Sequence, residues 1–185
     1  MELTEFAKNF KGYPISRELL LLNSFEDQYP DYSEGFCLLV DDQSGLKTWS
    51  ENEEFLNRLM PFAQANRSDS MYALWNDGTN KPLDQLPVVV LGDEGGVHIL
   101  AENTLQLMQL LTFDAEIAVG FDWVYFYKDE DDYQESPNKA TYQRWLKENF
   151  SLDPVQDPNA IIEAAQNKHK AAFDHWFGQY ATPSP

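Results

Sequence analysis

One segment constrains this chain more than any other: the run Pro87-Val88-Val89-Val90-Leu91 is apolar at every position. A strand with one wet face alternates apolar and polar residues, so a run without alternation is buried on both faces and belongs in the middle of its sheet. Met71–Trp75 before it and Val97–Leu100 after it also read as strands, separated from it by the turn Asn76-Asp77-Gly78 and by the glycine-rich Gly92–Gly96. These three segments are expected to pair, with Gly95 and Gly96 supplying the positive φ angles of a tight hairpin. A shorter apolar run, Phe36–Val40, is closed by Asp41, Asp42 and the turn-prone Gln43-Ser44-Gly45. It reads as a buried strand, with Cys37 inside it as a small hydrophobe. Phe121–Tyr127, Phe-Asp-Trp-Val-Tyr-Phe-Tyr, returns to β-prone aromatics.

Helical signals alternate with these strands. Residues from Pro14 to Tyr29 have helical density, with Ser16 placed to cap and Glu18 near the positive end of the helix. Ser50 and Glu53 form a capping box ahead of a helix that carries Phe55, Leu56, Leu59 and Met60 on one face and that Pro61 kinks or ends. Asn103 begins a helix through Leu111, and its Leu107, Leu110 and Leu111 suit packing on the sheet. Ser136-Pro137 and Asp157-Pro158 each place a cap before a first-turn proline and open two C-terminal helices. In the second, Ile162, Ala165, His169, Phe173, Trp176 and Tyr180 recur along one face as far as Tyr180. The expected organisation is an α+β core over 1–135, a helical extension over 136–180 packed on the same domain, and a disordered tail over 181–185.

Charge narrows the partners. Thirty-one acidic residues against 13 basic ones give a formal net charge of −18 over 185 residues. Neutralising phosphates requires clustered Lys and Arg, so nucleic acid is disfavoured, and anionic membrane surfaces are repelled. A cationic protein surface is the natural partner, although such acidity also serves solubility alone. The acids concentrate between Thr112 and Pro137, where eight stand against Lys128 alone. Asp122, Asp129, Glu130, Asp131, Asp132 and Glu135 are therefore the candidate partner-binding residues. Cys37 is the only cysteine, which rules out an intrachain disulfide and fits a reducing compartment. No stretch approaches the roughly 18 apolar residues that cross a bilayer, and the first residues lack a signal-peptide core, so a cytoplasmic location is expected.

Known catalytic patterns are missing from the sequence. His98, His169 and His175 are too few and too scattered for the common constellations, and no cysteine or histidine cluster suits zinc. There is no G-x-S-x-G elbow, and Leu91–Gly96 lacks the Gly-Lys-Ser/Thr ending of a phosphate loop while carrying two acids. Asp129–Asp132 does not follow the alternating ligand pattern of a calcium loop. No cofactor, metal or catalytic residue is expected. A convergent carboxylate pair among so many acids remains open as a hydrolase reading.

Read together, Tyr72–Gly78, Pro87–Gly96 and Ile99–Leu111 resemble the SUKH superfamily, which includes the Smi and Knr cell-wall regulators of yeasts and many bacterial immunity proteins. The resemblance implies an α+β fold with a central, mostly antiparallel sheet flanked by helices. It places Trp75, Asp77 and Gly78 on the family's tryptophan-glycine strand end, and Gly92, Asp93, Glu94, Gly95 and Gly96 on its hairpin, as structural positions. It also implies binding rather than catalysis: an immunity protein neutralising a basic toxin domain, or alternatively a regulatory or scaffold module that binds an endogenous protein. The two C-terminal helices depart from a minimal family domain, and their Phe173, Trp176, Phe177 and Tyr180 either cover the sheet or recruit a partner.

Overall fold

Alternate side chains of one sheet feed two separate cores, which is why its sequence is so uniformly apolar. The computed structural model describes residues 1–129 and 131–180. Glu130, expected in the acidic surface, and 181–185, expected as a disordered tail, lie outside the described residues. Among the described residues, five strands follow one another in an antiparallel meander: β1 (Cys37–Leu38), β2 (Leu59–Gln64), β3 (Met71–Trp75), β4 (Val88–Leu91) and β5 (Val97–Ala101). A separate antiparallel hairpin joins β6 (Ile117–Val119) to β7 (Val124–Phe126). The helices are α1 (Leu3–Phe6), α2 (Arg17–Gln28), α3 (Ser44–Lys47), α4 (Glu53–Arg58), α5 (Thr104–Leu111), α6 (Lys139–Phe150) and α7 (Pro158–Phe177). The fold is α+β with an antiparallel sheet between helices, as expected.

The period-2 geometry of the strands sorts the cores. Tyr72, Leu74, Val88, Val90 and Leu100 face one way and pack with α2, α5 and α6 through Leu22, Phe25, Leu107, Leu111 and Tyr142. Ala73, Trp75, Val89, Leu91 and Ile99 face the other way, against Phe55 of α4 and Ala165, Phe173 and Trp176 of α7. The aromatic stripe of α7 is therefore core: the Trp176 ring stacks on Phe55 at 5.7 Å and 6°, and Phe173 meets Trp75 edge-on at 5.1 Å. The caps of α2, α5 and α7 are the expected ones, with Ser16, Asn103 and Asp157 accepting from first-turn amides.

Several expectations are corrected. The helix expected to carry Leu59 and Met60 stops at Arg58, and those residues open β2, paired with Trp75 and Leu74. Pro61 sits inside that strand beside a bulge between Pro61 and Ala63; β1 pairs only with Ala63 and Gln64, so little is lost by its missing N–H. The N-cap of α4 is Asn52, whose Oδ1 accepts from Glu54 and Phe55, while the Ser50 hydroxyl serves the Asn52 amide instead. Cys37 is exposed, because β1 is a two-residue edge strand that turns Phe36 and Leu38 inward and the residue between them outward. The run 88–91 is interior, one strand from the edge rather than at the centre, which β3 occupies. Gly96 has no positive φ, unlike Gly95 (φ 105°).

Trp176→Ala is expected to lower unfolding stability by about 3–5 kcal/mol, the range for truncating a large buried aromatic. Urea denaturation checks this. A loss below about 1 kcal/mol would show that α7 is not part of the core.

Candidate functional site

The acidic segment after β7 is held by one buried carboxylate. Asp114 is fully buried and takes a left-handed backbone conformation (φ 58°) just after α5. Its Oδ1 accepts from the Glu34 amide (3.1 Å), and its Oδ2 accepts from the Ser136 amide (3.0 Å) and from the Tyr133 hydroxyl. Lys139 Nζ lies 3.9 Å from the same carboxylate and donates to the Tyr133 hydroxyl (2.8 Å) and to Glu135 (3.1 Å). Lys128 places its ammonium 4.0 Å from the centre of the Tyr133 ring. These contacts fix both ends of the loop. Ser136 does not cap α6: its amide donates to Asp114, and the helix begins at Lys139 after Asn138, three residues later than Ser136.

The hairpin β6–β7 is fastened to the main sheet by close backbone approach. A Cβ on Gly96 would collide with the Gly120 carbonyl, and one on Gly92 would stand 2.7 Å from Val119 Cγ1. The glycines at these two positions therefore admit the hairpin, and Gly95 supplies the turn. His98 Nε2 lies 2.8 Å from the Gly120 oxygen. Burial holds the His98 imidazole below its ordinary value of 6.5, opposed by the Gly120 contact. The remaining motif residues also hold turns: Asp93 Oδ1 accepts from the buried Ser70 hydroxyl (2.9 Å), Asp77 receives Thr79 N (3.0 Å) and Lys81 Nζ (2.6 Å), and Gly78 has φ 82°. Trp75 is in the core and Glu94 is exposed.

With one face of the hairpin buried through Ile117 and Phe126, the other is bare. Trp123, Tyr125 and Tyr127 alternate along β7 and its ends and are 50%, 41% and 63% exposed, and Phe121 at the tip is 68% exposed. Acids lie at both ends of this row: Asp122 at the tip, and Asp129, Asp131 and Asp132 beyond Tyr127, all exposed. Glu135 is exposed but paired with Lys139. Tyr127 borders an open groove of about 820 Å³ whose walls include Glu34, Cys37, Arg67, Asp114, Glu116 and Asp129. Phe121 borders a second, of about 790 Å³, beside Trp49, Asp93, Glu94 and Phe177.

The first groove is rich in carboxylates, but several are occupied structurally. Glu34 pairs with Arg67, Glu116 accepts from the Arg67 amide, and Asp114 is consumed by the contacts above. Though Cys37 is exposed, partial desolvation by the groove walls pushes its thiol above its ordinary value, with Glu26 and Asp31 adding to it, so it stays protonated and weakly nucleophilic at neutral pH. Among the described residues no three His, Cys, Asp or Glu side chains gather as a metal site, and no helix is long and apolar enough to cross a membrane.

Of the candidate acids, Asp122, Asp129, Asp131, Asp132 and Glu135 are placed by the structure on or beside this one hairpin. Sequence reading passed over two features: the aromatic row, legible as an alternation but not as an exposed one, and Asp114 as the anchor of the loop. Comparison with protein-family models, curated proteins and solved structures finds no match.

Asp114→Ala leaves the Glu34 and Ser136 amides without their acceptor, at about 1–3 kcal/mol for each buried donor. It should lower urea stability and speed hydrogen exchange at both amides, whereas Asp114→Asn, which keeps one acceptor oxygen, should lose less. Equal losses would show that the carboxylate is not the anchor. For His98, a folded-state value below the unfolded 6.5 means that the unfolded chain binds the proton first. Stability should therefore fall as pH drops below about 6.5 towards that lowered value. His98→Gln should lack this component when urea midpoints are compared across that window.

Proposed function

We propose that this chain is a non-catalytic protein-binding domain that takes a basic protein on the face of its β6–β7 hairpin, and that it serves as an immunity protein neutralising a basic toxin domain. The observation that carries this reading is the exposed aromatic row Trp123, Tyr125 and Tyr127 set between anchored acids. Tyrosine and tryptophan are the side chains that dominate binding energy at protein interfaces, and they are exposed at a cost when nothing covers them. A net charge of −18 accelerates encounter with a cationic surface and turns away nucleic acid. The resemblance to the SUKH superfamily motivates both toxin neutralisation and the alternative, a regulatory or scaffold role that binds an endogenous protein, and the acidity favours the first.

The test is affinity capture from host lysate at low and high salt. Retention of a basic nuclease-like or deaminase-like protein that salt releases, and whose activity the chain blocks, is the expected result. Capture of endogenous regulatory proteins alone would replace the immunity reading with the regulatory one. Neutralising Asp129, Asp131 and Asp132 to Asn together with Glu135→Gln should weaken capture about tenfold or more at low salt and flatten its salt dependence. An unchanged affinity would move the interface off this loop.

A further inference from the structure

We infer that the bare face of β7 receives an extended segment of the partner carrying Lys or Arg at alternate positions, read through side chains rather than by strand addition. The inference rests on the reading that the partner is basic, and specifies how that partner is held.

Strand addition needs an edge with free backbone groups, and each strand edge carries a side chain on such a group. On β1, the Leu38 amide donates to the Glu26 carboxylate (2.9 Å). On β5, Gln166 of α7 donates to the Ile99 carbonyl (3.3 Å). On β6, Asn66 donates to the Ile117 carbonyl (3.3 Å). On β7, the Asn159 amide group serves both the Phe126 N–H (3.1 Å) and the Phe126 carbonyl (3.4 Å). These four side chains come from three segments, α2, the β2–β3 connection and α7, and act alike. What the hairpin presents to a partner is its face.

That face has the spacing of an extended peptide. Trp123, Tyr125 and Tyr127 lie on one side of the strand, so neighbours in the row are about 7 Å apart along it, as are alternate side chains of an extended ligand. Across from Tyr125 stands Ala118, too short to cover the rings. The rings of Trp123 and Tyr125 stand 5.1 Å apart at 37°, the Trp123 ring lying over Gly120, and both residues remain 41–50% exposed.

Charge decides the occupant. Cations sit on aromatic faces, and the chain already uses this contact internally, where Lys128 lies over Tyr133 and Phe113. Asp122 at one end of the row and Asp129, Asp131 and Asp132 at the other supply counter-charges for guanidinium or ammonium groups. A second copy of this chain would set the same acids against themselves, at −18 for each molecule, so self-association on this face is opposed.

The full chain is titrated at low salt with two acetylated peptides of equal charge, one alternating (Arg-Thr-Arg-Thr-Arg-Thr-Arg) and one blocked (Arg-Arg-Arg-Arg-Thr-Thr-Thr). Binding is followed by the indole N–H resonance of Trp123, assigned by its disappearance in Trp123→Phe. The alternating peptide should bind more tightly and shift that resonance. Joint replacement of Tyr125 and Tyr127 by Ala, both exposed and leaving Trp123 as the reporter, should weaken it about tenfold. Neutralising Asp129, Asp131 and Asp132 to Asn should weaken both peptides alike. Equal affinity for the two peptides, or an aromatic variant that binds as well as the parent, overturns the inference while leaving a basic partner standing. Failure of both peptides to bind at low salt overturns the inference and the basic-partner reading together.

Discussion

The double-sided burial of the main sheet is the constraint on which everything else rests. Strands β3, β4 and β5 send alternate residues into two cores, and neither face is stable in water. Helices must therefore cover both sides. Helices α2, α5 and α6 close one, and α4 and α7 close the other. Helix α7 is committed to this task from Ala165 to Trp176, with the Trp176 ring meeting Phe55, Trp75 and Phe173. A helix so used has no apolar face left to offer a partner.

The surface proposed for recognition lies instead on the two-stranded sheet, which is covered on a single side. The β6–β7 hairpin buries Ile117 and Phe126 and leaves the opposite face open. Its position is held by contacts that tolerate little movement: glycine at Gly92 and Gly96 for steric reasons, the His98 ring on the Gly120 carbonyl, and Asn66 and Asn159 on the two edges. The loop that follows is held just as firmly by Asp114. Acids and aromatics presented from an anchored framework lose less conformational entropy on binding than they would from a free loop, which favours a tight complex.

Much of this was legible in local sequence. The turns after Trp75 and after Leu91, the helix capped by Asn103 and the helix starting at Asp157-Pro158 depend on nearest neighbours, and they stand where the residues place them. The errors share a cause. Leu59 and Met60 carry a helical spacing, yet pairing with Trp75 and Leu74, distant in the chain, makes them strand. Ser50 and Ser136 have the chemistry of caps, but one serves the Asn52 amide and the other is bound to Asp114. Cys37 lies in an apolar run, and only its place on a sheet edge turns it outward.

The sequence alone determined the class of the fold, the strong acidity, and the concentration of that acidity between Thr112 and Pro137, because composition and short-range periodicity act without reference to the rest of the chain. The tertiary structure alone decided which apolar surface is left uncovered. Phe121, Trp123, Tyr125 and Tyr127 are chemically as fit for a core as Phe173 and Trp176, and exposure separates them because α7 has a sheet face to cover while the hairpin's outer face meets nothing. It also decided the role of Asp114, whose partners Glu34, Tyr133, Ser136 and Lys139 come from separate parts of the chain and meet only when it folds.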